Sequence, residues 1–304
     1  MTNVVQVLID AIALGSLYAL VALAIGLVFG VMRLINFAQA DYVTIGAYSL
    51  VVPTASITPP LLFGALPPAL MIGCVVLTVT VLALLTERIA FRPLRSSNPT
   101  TLLISSFAVS YFLQSLLTLL HGGRPKAVSI GESLTRAVEL FGIRVPGVQL
   151  LTMAVAVTLL IALVLFLKKT SLGVQLRAAA EDFQMARLLG VPANRVIAIA
   201  FAISGILGGT ISLLFVIQTG MLDIRLGMML VVYAFFATVI GGMGSLPGAV
   251  LGGFIVGIVS VLLQSYLPED MRAFRDAGVF ALVILILLVR PQGLIVTSAA
   301  KERV

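Results

Sequence analysis

The chain has 304 residues, of which 60% are hydrophobic and 10% are charged. Soluble domains carry about 25% charged residues, so most of the surface of this protein must face lipid. These proportions exclude a soluble enzyme and predict a polytopic helical membrane protein. The single cysteine, Cys74, excludes an intrachain disulfide and a cysteine metal cluster. The single histidine, His121, leaves no partner for a multi-histidine metal site, so no metal site is predicted.

Uncharged stretches mark the predicted membrane segments in chain order. They are Ala11–Met32, Tyr42–Thr86, Ser96–Leu120, Val145–Leu167, Val196–Leu222, Leu226–Pro268 and Ala277–Val289. The second and sixth are too long for one crossing. Prolines interrupt the former and the glycine-rich run Gly241–Gly248 interrupts the latter, so we predict two helices in each. The expected fold is an all-α bundle with eight to nine transmembrane helices in one domain, residues 1–304.

The basic residues predict the orientation of this bundle. Alternating crossings divide the 19 Lys and Arg residues into two groups. Twelve lie on one side: Arg33, Arg88, Arg92, Arg95, Lys168, Lys169, Arg177, Arg187, Arg195, Arg290, Lys301 and Arg303. The other seven are Arg124, Lys126, Arg136, Arg144, Arg225, Arg272 and Arg275. The richer side is expected to be cytoplasmic, which places the N-terminus outside and the C-terminus inside.

The loop over residues 168–195 differs from a simple connector. Strong helix formers fill Leu176–Leu189, and Gly190 with Pro192 is a typical helix end. At helical spacing, one face contains Leu176, Ala180, Phe183 and Arg187, and a second apolar patch contains Met185, Leu188 and Leu189. Two interpretations stay open: a surface helix along the membrane interface and a helix that docks on a partner protein.

A second polar feature lies between the first two apolar segments. Arg33, Asn36, Gln39 and Asp41 follow one another there. The segment is either an ordinary cytoplasmic turn or a break between half-helices that lines a path through the protein. An Arg33–Asp41 ion pair would lower the cost of burying either charge. From these residues alone, the plain turn is the simpler interpretation.

Several catalytic and binding motifs are absent from the sequence. It contains no G-x-x-x-x-G-K-[ST], so ATP binding through a P-loop is excluded. It contains no H-E-x-x-H or G-x-S-x-G motif, and no paired carboxylates within a helix, so intramembrane catalysis is not expected. The sequence also lacks a basic run interleaved with aromatic residues, so nucleic-acid binding is not expected.

Two kinds of transport function stay open. The chain is either a transport subunit driven by a partner protein or an ion-coupled secondary transporter or channel.

Motifs from residue 15 to residue 294 carry a family resemblance. They are Gly15–Leu20, Phe29–Ala38, Glu87–Arg95, Ala180–Asp182 leading to Ala186–Gly190, Gly241–Ala249 and Arg290–Leu294. In this order they closely resemble the inner-membrane permease subunits of bacterial branched-chain amino acid ABC importers. Each motif alone is weak, but the ordered set covers essentially the whole chain.

The resemblance implies roles for two groups of residues. The first would be the cytoplasmic coupling helix that docks in a cleft of a separate ATPase: Ala178, Ala179, Ala180, Glu181, Asp182, Phe183, Met185, Ala186, Arg187, Leu188, Leu189 and Gly190. The second would lie near the translocation path: Asn36, Phe37, Gln39 and Asp41. Where the family usually continues with His-Gly-Glu, this chain has Gln39-Ala40-Asp41. That departure leaves the substrate open among branched-chain amino acids, urea, short amides and aromatic acids.

The resemblance also implies an assembly in the bacterial inner membrane. Its parts would be this permease, a second homologous permease in a heterodimer, two ABC ATPases and a periplasmic binding protein. The ATPases would use ATP and Mg²⁺, whereas this chain would bind no cofactor and catalyse no reaction. Apart from these proteins its only partner would be the lipid bilayer.

Overall fold

The computed structural model describes residues 2–33, 35–95, 97–131, 137–140 and 143–295. Of the basic residues used for orientation, Arg136, Lys301 and Arg303 lie outside them. The described helices are α1 Thr2–Met32, α2 Gln39–Tyr48, α3 Pro68–Thr86, α4 Pro99–His121, α5 Gly147–Lys169, α6 Ser171–Glu181, α7 Phe183–Leu188, α8 Ala193–Thr219, α9 Leu226–Gly241, α10 Leu246–Tyr266 and α11 Arg275–Val289. The predicted all-α bundle is confirmed.

Helix length separates the helices that can cross a bilayer from those that cannot. Among the described residues, six helices are long and apolar enough: α1, α3, α4, α5, α8 and α10. Helix α9 is apolar but has 16 residues, and α2 has only 10. Ten residues rise about 15 Å, half of the roughly 30 Å hydrocarbon core. Each of the nine predicted segments coincides with a helix, but the expected eight to nine spans hold only approximately.

Helices α1 and α8 form the centre of the bundle. In its most apolar stretch, 83% of α1 and 67% of α8 is buried, against 28% of α3, 28% of α4 and 22% of α5. Helix α1 packs directly on α10, because a side chain at Gly253 would overlap the backbone of Ala19 and one at Gly257 would overlap that of Gly15. Small residues allow such close approach in lipid. The outer helices α3, α4 and α5 expose apolar side chains to the surroundings.

One end of the bundle, which we call the Arg33 end, gathers the connections after α1, α3, α5, α9 and α11. Buried Glu87 forms an ion pair with half-buried Arg95, which also donates to Asn194 at the start of α8. The turn after α9 needs a glycine at Gly242, where φ is +106° and a side chain would overlap the carbonyl oxygen of Ile295. The Ile295 N–H donates to the Gly241 carbonyl at 3.0 Å. Family motifs that are distant in sequence therefore meet here.

The opposite end, the Asp10 end, carries the short strands. β1 Lys126–Ala127 pairs antiparallel with β4 Met221–Leu222, and β2 Ala137–Leu140 pairs antiparallel with β3 Ile143–Pro146. The buried Lys126 ammonium donates to the carbonyl oxygens of two residues in the loop after α2. Burial lowers the pKa of Lys126 below its usual value. These contacts close the bundle over α2 at this end.

Candidate functional site

The break between α1 and α2 lies inside the bundle. Gln39, the first residue of α2, is buried against Ser204, which is the twelfth residue of α8 (Ala193–Thr219). Eleven helical steps correspond to about 16 Å along α8. The break is therefore level with the middle of a spanning helix. The interpretation of this segment as a plain solvated turn is wrong.

Hydrogen bonds from neighbouring helices hold this buried segment. The Ser204 hydroxyl donates to Gln39 Oε1 at 2.8 Å and lies 3.2 Å from the Ala24 carbonyl oxygen. The Thr44 hydroxyl donates to the Ala40 carbonyl at 3.1 Å and accepts from the Gly227 N–H at 3.1 Å. Residues far apart in sequence thus satisfy polar groups that sequence reasoning assigned to water.

The four predicted path residues lie close together but differ in burial. Asn36, Gln39 and Asp41 are buried, and Asp41 is only 1% exposed. Phe37 is half-buried, and its ring stacks on Phe107 with centroids 4.2 Å apart. Asn36 Nδ2 and Asp41 Oδ2 have no hydrogen-bond partner among the described residues. Two buried polar atoms are thus left without partners in this segment.

The Arg33–Asp41 ion pair considered for a buried break does not form among the described residues. Arg33 is exposed, and its backbone adopts a positive φ of +54° at the end of α1. Its guanidinium reaches across to the carbonyl oxygens of Ala180 and Glu181 at 3.4 and 3.3 Å. The guanidinium lies there because the free carbonyls at the end of α6 attract it. Arg33 therefore connects α1 to the predicted coupling helix.

The predicted coupling helix consists of two helices. We expected one helix over Leu176–Leu189, but α6 starts at Ser171 and Asp182 separates it from α7. Asp182 has an extended backbone, and its Oδ1 accepts from the Met185 N–H at 2.9 Å. An aspartate in this conformation caps a new helix better than it continues an old one.

This break also changes the predicted faces. Ala179 and Ala186 are buried, Ala180 and Phe183 are half-buried, and Ala178, Glu181, Asp182, Met185, Arg187, Leu188, Leu189 and Gly190 are exposed. Grouping Arg187 with buried Leu176 was wrong, because the break resets the helical phase. Met185, Leu188 and Leu189, which we call the α7 patch, are 54%, 82% and 81% exposed. They form an exposed apolar surface on a charged segment.

A cavity of about 530 Å³ opens at the Asp10 end. Its lining comes from the starts of α1, α5, α9 and α11 and from the ends of α8 and α10. Asp10 and Arg275 both line it, together with the stacked rings of Tyr18 and Tyr233, whose centroids are 5.2 Å apart. The sequence analysis used Arg275 only to predict orientation, and it predicted no site at this end of the bundle. The available signal was a single charge near the end of an otherwise apolar helix in a chain with few charges.

The sequence of this chain matches a known protein family and several of its members. Residues 7–289 match the family described as "Branched-chain amino acid transport system / permease component". The chain belongs to this family. It is 34% identical over 295 residues to the high-affinity branched-chain amino acid transport system permease protein LivH of Escherichia coli strain K12, covering 95% of this chain and 94% of that one. It is 32% identical over 297 residues to the corresponding protein BraD of Pseudomonas aeruginosa, covering 95% of each.

A solved structure shows the same fold at a greater distance. The structure described as PsaBC from Streptococcus pneumoniae in complex with Fab superposes with a TM-score of 0.50 and 14% sequence identity. The superposition covers 93% of this chain and 91% of that one. The family match and the two relatives confirm the identification as a membrane-spanning permease subunit of the branched-chain amino acid ABC importer class, and they do not support the secondary-carrier alternative.

Proposed function

We propose that this chain moves an aliphatic amino acid inward, driven by a separate ATPase that docks on the α7 patch. The observation that carries the proposal is the exposure of Leu188 and Leu189, 82% and 81%, on a segment rich in basic residues. Large apolar side chains grouped on a charged surface are typical of a protein interface. Exposed Glu181 and Arg187 border the patch, as polar residues border the apolar centre of an interface.

The contacts of α6 supply a route from the docked ATPase to the membrane. Leu176 and Ala179 pack α6 onto the bundle, and Arg33 bonds its last carbonyls to the end of α1. The chain continues from Arg33 directly into the buried break before α2. A displacement of α6 and α7 would therefore move the segment that carries Asn36, Phe37, Gln39 and Asp41. We assign these four residues to the translocation path, in agreement with the unpartnered buried atoms of Asn36 and Asp41.

The proposal extends to the domain, the partners and the membrane orientation of the assembly. Residues 1–304 form one permease domain whose coupling loop is 168–195. A second homologous permease completes a heterodimer, and a periplasmic binding protein delivers the substrate. Two ATPases bind ATP and Mg²⁺, while this chain hydrolyses nothing and binds no cofactor. The membrane is the bacterial inner membrane. The larger set of basic residues supports a periplasmic N-terminus and a cytoplasmic C-terminus.

Co-purification in mild detergent, with bound subunits identified by mass, tests the docking assignment. Leu188→Asp places a charge in the α7 patch, and Val174→Asp places the same charge at an exposed apolar position of α6. We expect the wild type and Val174→Asp to retain an ATPase and ATP-driven uptake of leucine, and Leu188→Asp to lose both. Reversing the charges of Glu181 and Arg187 should also weaken ATPase recovery.

Two results would contradict this function. If Leu188→Asp retains the ATPase and full uptake, the α7 patch is not the docking surface. If the chain alone transports in liposomes under an ion gradient without any ATPase, a secondary carrier replaces the importer.

A further inference from the structure

The cavity at the Asp10 end is lined by one acidic and one basic side chain. Asp10 projects from α1, and Arg275 begins α11. The cavity is within the usual size of small-molecule sites, which enclose about 300–1,000 Å³. Sites of this kind combine an apolar wall with a few polar groups that fix the orientation of the ligand. The two charges therefore determine which ligand fits the cavity.

The acidic side of the cavity offers acceptors to a cation. Asp10 Oδ1 accepts hydrogen bonds from Gln6 at 3.1 Å and from Gln149 at 2.8 Å. Neither bond uses Oδ2. Gln149 donates to Asp10 through Nε2, and its Oε1 has no partner among the described residues. A carboxylate and an unpartnered amide oxygen, from two residues that both line the cavity, suit an ammonium group, which has three N–H donors.

The basic side of the cavity offers donors to an anion. The Arg275 Nε–H donates to Asp276 at 3.0 Å, and Nη1 donates to Gln264 at 2.9 Å. Neither bond uses Nη2. Asp276 also accepts from the Tyr233 hydroxyl, so its charge is engaged by two donors. These bonds orient the guanidinium while its remaining N–H groups stay available, and guanidinium binds carboxylates well.

The rest of the lining includes an apolar part and a polar part. Leu14, Phe215, Met229, Leu230 and Val261 form the apolar part, and Gln218, Thr219, Gln264 and Ser265 form the polar part. Tyr18 lies eight residues further along α1 than Asp10, which corresponds to about 12 Å of depth. The buried rings of Tyr18 and Tyr233 thus close the cavity toward the interior. A ligand with two charges near the mouth and an uncharged hydrocarbon tail would match all three surfaces.

We propose that this cavity binds a zwitterionic aliphatic amino acid, with its α-ammonium group on Asp10 and Gln149 and its α-carboxylate on Arg275. The hydrocarbon side chain then lies on the apolar wall against Phe215 and Val261. This assignment rests on the proposed import function and adds to it a receiving site in the membrane subunit itself. The site is at the end opposite the α7 patch, where a substrate delivered from outside would arrive.

Binding of three probes to the purified permease–ATPase complex in detergent tests the site. L-Leucine carries both charges, L-leucinamide lacks the carboxylate, and 4-methylpentanoate lacks the ammonium group. The variants are Asp10→Asn, which can still accept from Gln149, and Arg275→Gln. Asp270→Asn and Arg272→Gln are matched controls, because both residues are exposed at the same end and do not line the cavity.

The expected result is a crossed pattern. Asp10→Asn lowers leucine affinity about tenfold or more, the usual range for a hydrogen bond to a charged group, but leaves 4-methylpentanoate binding unchanged. Arg275→Gln lowers the affinity for leucine and 4-methylpentanoate but not for leucinamide. Arg275→Lys, which keeps the charge, recovers part of the loss. The two control variants bind like the wild type.

Other results would overturn the assignment. A wild type that binds no leucine, or that binds urea instead, excludes an amino acid site. Equal weakening of all three probes by Asp10→Asn indicates a structural role only. Repeating the titration on the permease without ATPase distinguishes failure of this site from failure of the docking proposal. A crossed pattern on the permease alone, with no ATPase recovered from cells, would support the cavity site and reject the docking proposal. An uncrossed pattern with normal ATPase recovery would reject the cavity site and support the docking proposal.

Discussion

Two parts of this molecule are too short to cross a membrane, and the protein places them in opposite surroundings. Helix α2 has ten residues, and nine of them are buried. Helix α7 has six residues, and only Ala186 is buried. Helix α2 follows the spanning helix α1, whereas α7 follows the short helix α6, and both α2 and α7 contain charged and polar residues. Polar composition therefore does not decide whether a short helix in this protein is exposed.

The availability of partners explains the difference. Three polar residues of α2 bond to neighbouring helices: Tyr42 to Thr86 of α3, Gln39 to Ser204 of α8, and Thr44 to Gly227 of α9. A buried polar group with a partner costs little, whereas one without a partner costs about 1–3 kcal/mol. Helix α7 is capped by its own Asp182, and the three apolar residues of the α7 patch are exposed. Helix α2 is thus part of the core, and α7 presents the exposed apolar patch that we propose as the docking surface.

The largest effect is expected where α9 touches α2. A side chain at Gly227 would overlap the Ala40 carbonyl oxygen and crowd the Thr44 hydroxyl. Gly227→Ala should therefore force α2 out of place, at a cost of about 1–3 kcal/mol or more. We expect Tm to fall by several degrees, measured by size-exclusion chromatography after heating in detergent.

Gly73→Ala is the matched control for that substitution. Gly73 also lies in a helix, but a side chain there would meet no atom within 4 Å. Replacing glycine by alanine in an open helical position stabilises by about 1 kcal/mol. A Gly227→Ala protein as stable as Gly73→Ala would mean that α2 is not held against α9, and the contrast between the two short helices would fail.

A smaller effect is expected from the bond between Gln39 and Ser204. Ser204→Ala leaves buried Gln39 Oε1 without its 2.8 Å partner, and Gln39→Leu removes the other side of the bond. Each single change should cost about 1–3 kcal/mol, while the double change costs less than their sum. The measurement is a double-mutant cycle on Tm in detergent. Strict additivity would show that this bond does not hold the start of α2.

Much of the helical architecture could be predicted, because a bilayer requires long uncharged stretches and the charges of this chain separate them clearly. The break at Asn36–Asp41 could not be placed. The local sequence is the same whether these polar residues face water or pair with Ser204, which lies 165 residues away from Gln39. Such distant pairing also explains why Arg33 bonds to Ala180 rather than to Asp41.

The candidate sites were predictable to different degrees. The α7 patch follows from local spacing, so its exposed apolar residues were found even though the helix boundary was wrong. The cavity depends on the packing of six helices, which brings Asp10 of α1 and Arg275 of α11 to one lining. No local pattern connects two such residues. Only their rarity as charges near the ends of apolar helices distinguished them.

The smallest effect on global stability is expected at Asp182, yet it tests the exposed helix most directly. A six-residue helix is too short to be stable without its cap. Asp182→Ala removes the acceptor of the Met185 N–H and costs about 1 kcal/mol, but this cost is local, because α7 packs little against the bundle. Tm should stay unchanged while the amides of Met185–Leu188 exchange faster with deuterium. Asp182→Asn keeps the acceptor and should exchange like the wild type.

The same two variants test whether docking needs an ordered α7. If it does, ATPase recovery falls in Asp182→Ala alone. Loss of ATPase in both variants would instead assign the effect to the charge of Asp182, and an intact ATPase complex with fast exchange would mean that the partner itself orders α7.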